Sequence, residues 1–190
     1  LIAGVEHILV GYDHLLFILC LMIIASGFKR LLLTVTGFTV AHSITLSLAS
    51  LNIIRVRTEL VELLIALSIL LLAVEIIKHY RSKNYDSFIW RYPITASSVF
   101  GLLHGFGFAV VLQELGLPQS MKIHALLFFN IGVEIGQIMF ITGMAILGYF
   151  VSKFLLKISV NREIFVQFAV YLIGISSAYW LFERTSAIFL

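Results

Sequence analysis

Six apolar stretches, each about as long as the helix that crosses a bilayer, take up most of this chain and leave little room for any other fold. A bilayer core is about 30 Å thick and offers no partner to an open backbone N–H or C=O, so about 20 apolar residues must run through it as helix. The stretches fall at Val5–Ser26, Leu31–Leu51, Glu59–His79, Pro93–Leu115, Ile123–Ser152 and Ile164–Glu183, the fifth long enough to tilt or protrude. Composition agrees, with 61% apolar and 12% charged residues and a mean hydropathy of +1.06, against about 45–50% and about 25% in soluble domains. The expectation is an all-α, polytopic transmembrane bundle of six helices. It forms a single domain over residues 1–190, because two prolines and no low-complexity tract leave nowhere to divide the chain. The start at Leu1, with neither a methionine nor a signal-like segment, predicts that a segment upstream is missing.

The net charge of +3 could suggest nucleic acid, but the basic residues sit in short loops between apolar runs and read as topology signals. Six spans put both termini on one side. Lys29, Arg30, Lys78, Arg81, Lys83, Arg91, Lys153, Lys157 and Arg162 then share one face, and Arg55, Arg57, Lys122 and Arg184 the other. The positive-inside bias predicts a bacterial inner membrane protein with both termini periplasmic. Trp90, Tyr92 and Trp180 fit interfacial positions. Gly101, Gly105 and Gly107, and Gly132 with Gly136, have the small-xxx-small spacing of close helix packing. Cys20 stands alone, so neither a disulfide nor a CxxC site is available.

Ionisable side chains inside a membrane are costly, about 2.5–3.5 kcal/mol at the centre, and need compensation. On a straight first helix His7 and His14 fall about 20° apart, two turns from each other, with Gly11 between them. Asp13 is offset, placed to join a site or to orient a histidine. The second span carries Thr39, His42 and Thr45 with Ser43 beside them, the fourth carries His104, and the fifth presents Asn130, Glu134 and Gln137 on one face. Any one of these could be an ordinary hydrogen-bonded polar residue, and Glu6 with His7 could be solvated at the interface. Collectively they converge at one depth. Glu59 and Glu62 sit at the outer mouth, where carboxylates concentrate cations. Glu75 is explained by pairing with Lys78 or His79, and His79 and His124 lie near interfaces, where solvation is expected.

Imidazole with carboxylate or carboxamide and no thiolate suits Ni, Co or Zn, whereas Mg or Ca would want oxygen alone. The metal set read from depth is Asp13, His14, His42, His104 and Glu134, with His7 admitting the ion and Asn130, Gln137, Thr39 and Ser43 supporting. Ligation needs neutral imidazoles and weakens as they protonate below about pH 6.5.

His7-x5-Asp13-His14, Ala41-His42-Ser43, Gly101-Leu102-Leu103-His104-Gly105-Phe106-Gly107 and Phe129-Asn130-Ile131-Gly132-Val133-Glu134-Ile135-Gly136-Gln137 resemble the HupE/UreJ family over about three quarters of the chain. That resemblance implies a six-helix bacterial nickel or cobalt permease, of the kind associated with hydrogenase and urease maturation. It assigns His7, Asp13 and His14 to metal handling. The fourth-span motif departs from the better-known nickel permeases in having His104 alone, and the fifth-span stretch looks like a second branch of the family.

The leading expectation is therefore a permease for a divalent transition metal, with the ion as substrate and no catalytic residues. No nucleotide-binding motif is present, so transport would be gradient-driven or rely on a partner such as a metallochaperone or an oligomeric mate. The alternatives are an intramembrane zinc hydrolase, in which His14, His42 and His104 hold the metal and Asp13 or Glu134 is the base, and a subunit that stores metal or docks a chaperone. Neither H-E-x-x-H nor G-x-S-x-G supports the hydrolase.

Overall fold

In a computed structural model of the chain, residues 1–82, 85–108, 119–157 and 161–189 are described, and every regular element among them is a helix. In order these are α1 (Ile2–Val10), α2 (Tyr12–Ile24), α3 (Phe28–Ser50), α4 (Thr58–Arg81), α5 (Phe88–Arg91), α6 (Pro93–Gly107), α7 (Gln119–Lys157) and α8 (Arg162–Phe189). Helices α3, α4, α7 and α8 are each long and apolar enough to cross a membrane, and α1 with α2, bent by 76°, pass that test only together, as a broken span or a re-entrant loop. The described residues form a membrane-spanning helical bundle with four such helices, or five if the bent pair is one span. The expected fourth span is represented by α6, whose 15 residues rise only about 22 Å; positions 109–118 of that stretch lie outside the described residues.

The first span departs from the straight helix that its apolar run predicts, because Gly11 leaves helical geometry at φ −76° and ψ 93°. These angles suit any residue; the space does not. A Cβ on Gly11 would stand 2.6 Å from the His7 carbonyl oxygen and 2.9 Å from His14 Nδ1. The Gly11 N–H still donates to His7 O at 3.2 Å, and its carbonyl accepts from the Leu15 N–H at 3.1 Å, so the break is satisfied on both sides. Helix α2 packs against α1, α3, α4, α6 and α7.

Close backbone approach organises the rest. Gly101 and Gly105 of α6 press against α3, where added Cβ atoms would collide with the carbonyls of Phe38 and His42. Gly4 of α1 and Gly132 of α7 meet so tightly that neither could carry a side chain. Helix α4 packs along α8. The apolar windows of α3 and α4 are 50% and 44% buried, those of α7 and α8 only 11% and 17%. The last two helices therefore form the outer layer, presenting Phe150, Phe154, Phe168 and Phe182.

At one end Arg30 donates to the carbonyls of Trp90 and Arg91, at 2.9 and 3.1 Å, gathering basic residues that the sequence assigns to a common face. His79 is not simply solvated there; its ring stacks on Trp90 at 3.8 Å, because the short α5 folds the indole back over it. Glu75 lies 3.9 Å from Lys78 and accepts the Tyr85 hydroxyl at 2.5 Å, a bond that pushes the Tyr85 phenol above its usual range. His124 is exposed.

Candidate metal centre

Four histidines from four helices meet in the interior. One ring nitrogen each from His7 (α1), His14 (α2) and His42 (α3) lie within 4.8 Å of one another. Metal–nitrogen bonds of about 2.0–2.1 Å put two ligand nitrogens about 3–4 Å apart, so small ring rotations close the set. The break at Gly11 makes this approach: seven residues of straight helix would separate His7 and His14 by about 10.5 Å, whereas their ring centroids lie 4.4 Å apart. The sequence paired these two histidines correctly, but for a geometry the chain does not adopt. His14 is central, its ring 6.3 Å from that of His42 and 5.4 Å from that of His104 on α6.

The ring nitrogens are conspicuously without partners. His7 Nε2, His14 Nε2, both nitrogens of His42 and Nδ1 of His104 are buried with no hydrogen bond in the protein. Buried polar atoms are nearly always satisfied, since an unmade bond costs about 1–3 kcal/mol. Five orphans in one pocket call for a common partner. His104 shows the direction of its lone pair: the Ser68 hydroxyl donates to Ile65 O at 2.6 Å, so at 3.1 Å its oxygen accepts from His104 Nε2–H. Nδ1 is then the unprotonated nitrogen. Phe17, Phe38, Phe108 and Phe129 wall the cluster, with the Phe108 ring 4.0 Å from His7 and the Phe38 ring 5.1 Å from His104.

The expected carboxylates are placed differently. Asp13 Oδ2 accepts from Arg184 at 2.8 Å, and its Oδ1 is buried and unpartnered. Glu134 is outside the His7, His14 and His42 group; Thr36 donates to its Oε1 at 2.6 Å, leaving Oε2 free. One turn on, Thr39 donates to Gln137 at 2.7 Å, so the Glu134 and Gln137 face meets threonines of α3. Asn130 lies beside His42 and donates to Leu126 O at 2.8 Å. Ser43 donates to Thr39 O within its own helix. Glu59 is exposed and pairs with Arg57 at 3.8 Å, whereas Glu62 approaches Arg184 at 4.0 Å.

Three contributors escaped the sequence reading: Ser68, Thr36 and Arg184. A lone hydroxyl in the run Val61–Val74 was the available signal for Ser68. Arg184 was counted as a loop cation, yet α8 continues past it, and its side chain is only 20% exposed.

No curated protein and no solved structure matches the chain. A family model described as HupE / UreJ protein matches residues 1–184, including every motif residue discussed above and more of the chain than the motifs alone. With that match and a histidine cluster built by the same motifs, the chain belongs to the HupE/UreJ family.

Proposed function

We propose that the chain is a membrane permease for a divalent transition metal, Ni2+, Co2+ or Zn2+, which it takes as substrate at His7, His14 and His42 with His104 adjoining. The observation that carries this reading is the set of unpartnered imidazole nitrogens converging from separate helices. Neutral imidazoles suit borderline dications, and the family is associated with nickel and cobalt transport. Asp13 and Glu134 supply negative charge at the edge of the cluster, and Glu62 at the mouth draws cations toward it. The loop charges orient the chain in a bacterial inner membrane with its termini periplasmic. A permease must bind weakly enough to release its ion.

The test is flux. Purified protein in liposomes enclosing a metal-sensitive dye is expected to admit Ni2+ or Co2+ faster than protein-free vesicles, with saturation, and His42→Ala is expected to return the rate to background. Tight metal binding without flux in the wild type would contradict transport. Ser68→Ala is expected to weaken Ni2+ binding about tenfold, the lower end of the effect of removing a partner that orients a metal-binding histidine. Equilibrium dialysis reads it directly.

A further inference from the structure

Arg184 is a part-buried cation near the C-terminal end of α8, its side chain 20% exposed. Its Nη2 donates to Asp13 Oδ2 and its Nη1 to the Glu62 carbonyl, both at 2.8 Å, while Nε stands 4.0 Å from the Glu62 carboxylate. The guanidinium lies 5.8 Å from the centre of the Trp180 ring, one turn back on α8. Asp13 directly precedes His14, has its second oxygen buried without a partner, and is 22% exposed at the side chain. The Asp13 carboxylate is thus held by a positive charge attached to the protein, and the Glu62 carboxylate stands beside that charge.

We propose that Arg184 is a tethered counter-cation, holding Asp13 until a divalent cation entering the histidine cluster takes its place and moves the guanidinium onto Glu62. The inference rests on the cluster taking a metal ion, as proposed above. A dication among neutral imidazoles lacks a compensating charge, and Asp13 is the acid beside His14. A part-buried arginine needs a partner of its own, and the Glu62 carboxylate, close by and half exposed, supplies one. The competition keeps affinity low enough for release. Arg184 is then a positioning residue: it sets when Asp13 is available without touching the ion.

Equilibrium dialysis of the purified full chain against Ni2+ tests this in the wild type, Arg184→Gln, Asp13→Asn and the double variant. Arg184→Gln is expected to bind Ni2+ at least about tenfold more tightly, with slower release from loaded liposomes. The double variant is expected to bind no more tightly than Asp13→Asn alone, because Arg184 acts through Asp13. A folded Arg184→Gln protein of unchanged or weaker affinity overturns the inference, while metal binding by the wild type that is lost in His14→Ala keeps the permease reading intact. Failure of the wild type to bind Ni2+, Co2+ or Zn2+ overturns both. Should Arg184→Gln not fold, Trp180 reports independently. In a Trp90→Phe background, Zn2+ is expected to shift Trp180 emission as the guanidinium moves, and Asp13→Asn to remove the shift; emission unaltered at saturating Zn2+ overturns the inference.

Discussion

Replacing His14 by alanine is expected to weaken Ni2+ binding about 100-fold or more, equivalent to about 2.8 kcal/mol, and to abolish uptake into liposomes. No other substitution should act as strongly, because the His14 ring neighbours those of His7, His42 and His104 at once. Stability should respond differently. The substitution removes a buried nitrogen that has no partner and leaves a cavity, two changes of opposite sign. The melting temperature without added metal should therefore move little, while the rise on adding Ni2+, which follows from binding to the folded state alone, should vanish. A melting curve with and without Ni2+ separates the two. An Ni2+-induced rise that persists in His14→Ala would remove this residue from the site.

Gly11→Val is expected to be nearly as damaging, although Gly11 presents no ligand. Its added Cβ would meet His7 O and His14 Nδ1 at 2.6 and 2.9 Å. Either the His14 ring turns away or the break straightens, and a straight segment separates the two histidines by about 10.5 Å. The expected loss in Ni2+ affinity is about 100-fold, comparable to deleting a ligand, in a protein that still folds because α2 keeps its other neighbours. Gly143→Ala is the control: a Cβ there meets nothing within 4 Å, and binding should be unchanged. Equal affinities for the two variants would show that the break does not build the site.

The long helices were legible because lipid imposes a length and a composition that α3, α4, α7 and α8 meet on their own. The broken first span was not. Glycine is common in membrane helices, and an unbroken run from Val5 also aligns His7 with His14, so periodicity cannot separate the two geometries. The convergence of His14, His42 and His104 could be read from depth, but depth does not say which partner each nitrogen has. The Ser68 bond to His104 joins residues 36 positions apart and the Thr36 bond to Glu134 joins residues 98 apart; such pairings emerge only from packing. Arg184 was misjudged for a related reason. A charge near the end of an apolar run looks like a helix exit until its counter-ion, 171 positions away, is known.

The contact between Gly4 and Gly132 gives His7 a mounting that the other three histidines do not share. Nine-residue α1 is too short to stand alone in a bilayer and is fastened backbone to backbone on α7, whereas α3 and α6 are fastened to each other through Gly101 and Gly105. His7 therefore depends on α7 for its place, and α7 is tied in turn to α3, where Glu134 and Gln137 accept from Thr36 and Thr39. An outer helix that contributes none of the four imidazoles thus holds one of them in register through a bare backbone seam.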